Sequence, residues 1–365
     1  GSFSQLWYIL SGADSYPNWV LNIQLQLVIK PDYFFFRGNR TSGLAYEASW
    51  FGHQLTTLYI PLWLSATFQR KSSFNFRAFG LTFENILLGL GLFMFLMSGP
   101  RISLLSLLLM LVVLMILFSL WLVRSITRFI AARWRNASPR LLRFGLPAAI
   151  TLALVASYLL IMVGGIFVMS QRDPRLQLLF SEPPSWAEIG LLASLDENTL
   201  ISVGARLAFL ERVVYWLTGW QTFAEYPWLG VGLGNSGFFF LKNVPGTGWM
   251  SLEIRNVMGV LTGLPNIKAF WVRLLAETGI LGFYVFAGWY SLTGKSAKLL
   301  RRSHDPTYQI IGLAGVLALV AFLSEGFSID SFAMPYLWVI TGLVAAAALA
   351  LRKDGARSVQ PPGGG

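Results

Sequence analysis

Two stretches, ISVGARLAFLERVVYWLTGWQTFAEYPWLGVGLGN (Ile201–Asn235) and PNIKAFWVRLLAETGILGF (Pro265–Phe283), decide how this chain is read. They lie in and at the exit of one long polar interruption, 171–267, between two groups of apolar spans. From Ala205 to Phe223 apolar residues recur at helical spacing: Leu207, Leu210, Val214 and Leu217. Trp216, Trp220, Trp228, Trp249 and Trp271 suit a membrane interface, where an amphipathic ring has one dry side and one wet side. Together these features predict helices lying on or near a membrane surface.

Outward from this interruption the chain is apolar. Spans at 49–69, 79–98, 101–123 and 144–169 precede it, and spans at 268–293, 307–325 and 332–351 follow. Each approaches the ~20 residues a helix needs to cross a hydrocarbon core of ~30 Å. The 365 residues are 55% hydrophobic and only 12% charged, with mean hydropathy +0.58. A soluble domain carries about 25% charged residues. The expectation is an all-α polytopic bundle of about seven spans, one integral membrane domain over 1–365. Residues 13–48, with Pro17 and Pro31, read as a surface segment, and 352–365 as a disordered tail. The opening GSFSQLWYIL reads as a fragment of a span, which predicts further spans before it.

Charge orients the bundle. One set of alternate loops holds Arg70, Lys71 and Arg77; then Arg124, Arg128, Arg133, Arg135, Arg140 and Arg143; then Lys295, Lys298, Arg301 and Arg302; then Arg352, Lys353 and Arg357. Against them stand only Glu84, Asp305 and Asp354. The positive-inside rule makes these loops cytoplasmic and puts 1–48, the turn Ser98–Arg101 and 171–267 outside. The same clustering explains the net charge of +11 without nucleic acid. There is no cysteine, hence no disulfide and no thiol nucleophile, and two histidines make a histidine-rich metal centre a poor expectation.

Several cations then fall at the outer edge: Arg37, Arg40, Arg101, Arg206, Arg212, Arg255, Lys268 and Arg273. A guanidinium grips phosphate through a rigid two-pronged fork. Arginines converging from separate segments would suit a lipid-linked diphosphate. The plainer reading pairs each with a carboxylate or lipid head group, Arg212 with Glu225 for example. Among acids, Glu47 stands just before a span and Glu277 within one. An ionisable group inside a span points to function by default. The plainer reading of Glu277 is an i, i+4 ion pair with Arg273. Glu325 and Asp330 read as interfacial, His53 as a packed histidine, and His304 as cytoplasmic. GVGLGN (Gly230–Asn235) lacks the preceding strand and βαβ context of a dinucleotide site, so its glycines are expected to shape a tight loop.

Four stretches now occur in one order: RTSGLAYEASWFG (Arg40–Gly52), SGPR (Ser98–Arg101), YPWLGVGLGN (Tyr226–Asn235) and FWVRLLAETGILGF (Phe270–Phe283). Together, across about 40–351, the chain resembles the O-antigen polymerase and ligase superfamily of bacterial membrane glycosyltransferases. The resemblance implies transfer of a glycan from undecaprenyl diphosphate to an acceptor sugar on the periplasmic face of the inner membrane. It implies no metal, nucleotide sugar or other cofactor. Its partners would be the lipid-linked donor, the glycan acceptor, membrane lipid and other polysaccharide-assembly proteins. Arg212 matches the family's loop arginine, with Arg206 the near alternative, and Arg101 matches the arginine of the serine-containing turn. Arg40, Arg101, Lys268 and Arg273 would bind the diphosphate. Arg212, Arg206 and a carboxylate base, Glu47 first and Glu277 second, would carry the chemistry. Ligases place a histidine nine residues before the Glu-x-Gly, where this chain has Lys268. That departure favours a polymerase of lipid-linked repeat units over a ligase. A polysaccharide-lipid transporter is the rival of another class; it would need charges at mid-depth or spans broken in paired positions.

Overall fold

The structure, a computed structural model, describes residues 45, 48–72, 74, 76–99, 101–133, 144–171, 177, 181, 185–187, 190, 197–206, 209–259, 264–329 and 331–359. It is mostly helical, with one two-residue antiparallel pairing, β1 (Arg77–Ala78) with β2 (Leu81–Thr82), among the described residues. Among the described residues five helices are long and apolar enough to cross a membrane: Arg101–Ser119, Leu146–Phe167, Phe270–Leu300, Pro306–Glu325 and Pro335–Lys353. Each lies where the hydropathy places a span, and this is a membrane protein.

The two remaining expected spans differ. The first is helical over Ala48–Phe68, but in three pieces: α1 (Ala48–Gln54), a π-helical stretch (Leu55–Tyr59) and α2 (Ile60–Phe68). The second, α3 (Phe83–Ser98), has 16 residues. At 1.5 Å per residue it reaches about 24 Å, short of the ~30 Å core. Its ends are set by local chemistry. The Thr82 side chain accepts from the Asn85 amide, and Gly99 closes the helix in the left-handed conformation, φ 54°. The next helix, α4, runs Arg101–Arg133, and α5 runs Leu146–Ser170.

The expected interfacial helix over 205–223 is two helices. α6 (Glu197–Arg206) ends and α7 (Leu210–Glu225) begins across a break at which the Phe209 amide bonds back to Gly204 O at 2.6 Å. Then come α8 (Ser236–Asn243), α9 (Leu252–Gly259), α10 (Phe270–Leu300), α11 (Pro306–Glu325) and α12 (Pro335–Val359). α12 carries helix past 352, where a disordered tail is expected.

The contacts divide the chain into two compact units. The first comprises 1–107, 284–327 and 331–365. In it α11 packs on α2, on the π stretch and on α12. Ala297, Leu300, Val344, Ala347 and Ala348 form a core of small and aliphatic side chains that lets helices approach closely. The second unit comprises 108–283 and 328–330. Its core joins α7, α8, α9 and the start of α10 through Val214, Tyr215, Phe240, Ile254, Ile267, Ala269 and Ala276. In that unit α5 hides only 6% of its most apolar window inside the protein, so its apolar surface is left for lipid.

Candidate functional site

The second unit is built around a break in α10. Gly279 sits inside that helix at φ 62°, ψ −168°, a conformation essentially reserved for glycine. A broken membrane helix exposes backbone groups that hydrocarbon cannot satisfy. Here the glycine-rich loop after α7 satisfies them. Val231 and Gly232 amides donate to Ala276 O (3.0 Å) and Glu277 O (2.9 Å), while Ile280 and Leu281 amides donate to Pro227 O (2.8 Å) and Trp228 O (3.3 Å). The approach leaves no room for side chains: a Cβ on Gly279 would lie 2.3 Å from Trp228 O, and one on Gly230 (φ 66°) would lie 2.4 Å from Glu277 C. Gly279→Ala should therefore cost roughly 1–3 kcal/mol in backbone strain alone. Limited proteolysis should find 227–235 cut faster in that variant; unchanged cutting would mean the loop docks without this contact.

Glu277 fastens the same loop. Its carboxylate is buried and accepts from the Gly234 amide (2.9 Å), the Ser236 hydroxyl (2.7 Å) and Arg273 Nε (2.9 Å). The i, i+4 pair with Arg273 expected from spacing is present. With three donors on two oxygens, Glu277 is a loop anchor and is poorly placed to act as a base. Arg273 is likewise held by Glu277 rather than presented whole to a diphosphate.

Arg212 and Lys268 come together in the same unit. Arg212, in the first turn of α7, points Nη1 at two backbone carbonyls, Lys268 O (3.0 Å) and Ser328 O (3.4 Å). Among the described residues its Nε and Nη2 donate to nothing. The alternative partner Glu225 is instead bound to Lys242 (2.9 Å) and Asn243 (3.4 Å). Lys268 Nζ donates to Glu253 Oε1 (2.6 Å) and stands 5.3 Å over the Tyr215 ring, whose hydroxyl donates to the same oxygen (3.0 Å). Burial works to raise the Glu253 carboxyl, but Lys268, Tyr215 and Arg212 outweigh it and hold it below the usual carboxylate range. Burial first, and Glu253 next, push the Tyr215 phenol well above its ordinary value. Glu253 thus pairs directly with Lys268 and also feels the charge of Arg212, whose Nε and Nη2 carry no hydrogen bond among the described residues.

The other expected residues are distributed as follows. Arg40 and Glu47 lie outside the described residues. Arg206 is the last residue of α6, and Arg101 is the half-buried first residue of α4, in the first unit. Among the described residues no group of three or more His, Cys, Asp or Glu side chains is placed to hold a metal ion.

A second constellation escapes sequence reading altogether. In the first unit His53 Nδ1 meets Glu325 Oε2, and Thr56 donates its hydroxyl to the other oxygen at 2.6 Å. Glu325 is fully buried within the protein, and His53 is a paired histidine rather than a merely packed one. Ser103 Oγ lies 3.5 Å from His53 Nδ1, and Ser106 and Ser324 share a hydrogen bond of 2.8 Å. The partners stand 272 residues apart, so no local pattern announces them. The one available signal is an acid at the end of a span combined with a histidine inside another.

No protein-family model and no curated protein matches this chain.

Proposed function

We propose that this protein is a membrane-embedded glycosyltransferase that polymerises lipid-linked oligosaccharide repeat units. The donor is undecaprenyl-diphosphate-linked glycan, the acceptor is a second lipid-linked unit, and the active face is periplasmic in a bacterial inner membrane. The observation that carries this reading is the Arg212 guanidinium. It is fixed through Nη1 by two carbonyls, and among the described residues its Nε and Nη2 donate to nothing, which leaves them for an anion. An aimed, pre-paid donor pair stabilises charge developing on a leaving diphosphate without reorganising in the step. The ordered resemblance of the four stretches supports the same class. Lys268, standing where ligases carry histidine, favours polymerase over ligase.

The transporter reading gains little from the break at Gly279. That break is filled by the loop backbone of 227–234 instead of lining an open ion site.

Two measurements test the proposal. Because the chain has no cysteine, His304→Cys and Gly246→Cys are single labelling sites, both exposed. In intact spheroplasts an impermeant thiol reagent should label position 246 and spare 304. The opposite pattern would invert the membrane orientation and remove the periplasmic site. A strain lacking this protein should then show single-repeat glycans on gels. Full-length glycan that fails only to reach the cell surface would favour the ligase.

A further inference from the structure

We propose that the loop joining α2 to α3, residues 69–82, docks on the anionic lipid head groups of the protein's own bilayer, with Phe79 as the tip that enters the interface. The inference does not rest on the transferase reading. It begins with the backbone. Among the described residues, the only non-glycine positions at positive φ are Arg70 and Phe79, both at 52°, and both fall in this loop. Arg70 stands where a helix ordinarily ends on glycine. Its amide bonds back to Thr67 O and the Lys71 amide to Ala66 O, both at 3.1 Å, and together they close α2. Phe79 and Gly80 (φ 79°) are the two central residues of the β1–β2 hairpin, a turn that ordinarily takes Asn-Gly. A bulky side chain is unusual in that conformation.

The side chains held this way have nothing of the protein to rest on. The Phe79 ring is entirely exposed, and Phe74, Phe76 and Leu81 are about half exposed. Arg70, Lys71 and Arg77 are exposed as well, and among the described residues none of the three has an ion pair or a side-chain hydrogen bond. No acidic residue occurs from Gln69 to Thr82. The described part of the loop is nonetheless built. The Ser72 hydroxyl accepts from the Phe74 amide (3.1 Å), the Phe74 ring meets Phe83 edge-on at 4.9 Å, and Thr67 donates to Asn85 Oδ1 (2.7 Å) across its base.

Three observations name the bilayer as the occupant. α11, a membrane-crossing helix that packs on α2, begins at Pro306 and is capped by Asp305. The Thr307 amide holds the Asp305 carboxyl below its ordinary value and Lys71 adds to the effect, so Lys71 stands near the end of that helix. Next, α3 reaches about 24 Å against a core of ~30 Å. A helix shorter than the core draws its flanks toward the hydrocarbon or thins the bilayer around it. Phe79 and Leu81 are on that flank. Charge is the third. Three cations and no acid, interleaved with aromatic rings, complement an anionic leaflet. The positive-inside rule assigns this loop to the cytoplasmic side, where such lipid concentrates.

The chain has no cysteine, so Phe79→Cys gives a single site for a nitroxide on the whole protein in nanodiscs. As phosphatidylglycerol replaces phosphatidylcholine, the label should become more accessible to oxygen than to a water-soluble nickel chelate. An anionic surface attracts each nearby Lys or Arg about fivefold, so combining Arg70→Gln, Lys71→Gln and Arg77→Gln should lower the ratio of seated to free label about 10²-fold. Leu81→Cys keeps the Phe79 ring and should show the same lipid dependence; adding Phe79→Ser should weaken it. A label open to the nickel chelate at every lipid composition overturns the proposal. So does seating that is as deep in pure phosphatidylcholine and indifferent to the three glutamines. Immobilisation that appears only when cytosolic extract is added gives the surface to a protein instead. A triple variant that unfolds earlier than its parent in uncharged detergent assigns the cations to the fold, which overturns the proposal as well.

Discussion

Replacing Arg212 by alanine is expected to abolish nearly all polymer formation, and replacing it by lysine most of it. The two variants separate charge from geometry. Lysine keeps a positive charge but offers a point donor in place of a planar fork. It cannot hold the carbonyls of Lys268 and Ser328 and still present two parallel donors to an anion. Losing one preorganised donor to a developing oxyanion costs about 10²–10³ in rate, roughly 3–4 kcal/mol. A purely structural role predicts something else. Hydrogen bonds from a charged group to backbone carbonyls contribute about 1.5–3 kcal/mol to stability. The alanine variant would then melt earlier, yet each surviving molecule would polymerise normally. The measurement is glycan chain length in a deletion strain complemented with each variant, at matched protein in the membrane, beside thermal unfolding of purified protein. Normal chain length from Arg212→Ala would transfer the role to Arg206 at the end of α6.

The second large effect is one of stability. Glu277→Ala strips the carboxylate from Arg273 and leaves the Gly234 amide and Ser236 hydroxyl without their acceptor. Breaking a buried ion pair from one side costs about 3–5 kcal/mol. Glu277→Gln keeps the shape and one acceptor oxygen, so it should cost about 1–3 kcal/mol. Both should lower the unfolding midpoint, alanine more. A glutamine variant as stable as wild type but without turnover would return Glu277 to the chemistry.

How much of this was legible in the sequence depends on how far each cause reaches. The five long spans follow from hydropathy summed over twenty residues, and their positions agree with the helices found. The pair Arg273–Glu277 follows from helical spacing within one turn. Caps such as Thr82 over Asn85 are also local. The break between α6 and α7 was not legible, because in the sequence Leu207, Leu210 and Val214 keep the helical period straight through it. The π stretch was not legible either, since Leu55–Tyr59 has ordinary helix-compatible composition. The glycines of 230–234 announced a tight loop, but not that its partner is the backbone around Gly279, 45 or more residues onward. Backbone contacts leave no side-chain signature. The His53–Glu325 pair joins two spans whose association is set by the packing of α11 on α2 and the π stretch, a matter of tertiary structure alone.

The clasp between the loop and α10 has one more consequence. Apart from the Glu277 carboxylate, it is sewn from peptide groups, and peptide groups are the same in every residue. Glycine is demanded at 230, 232, 234 and 279, all at positive φ. Beside these glycines Leu229 and Leu233 are 72% and 68% exposed, and their side chains take no part in the stitching. Those two positions are interchangeable in a way their neighbours are not. A new side chain there changes what the loop shows to an approaching molecule while the seam stays closed. Saturation libraries at 229 and 233 should therefore leave the unfolding midpoint close to wild type, because neither side chain takes part in closing the seam.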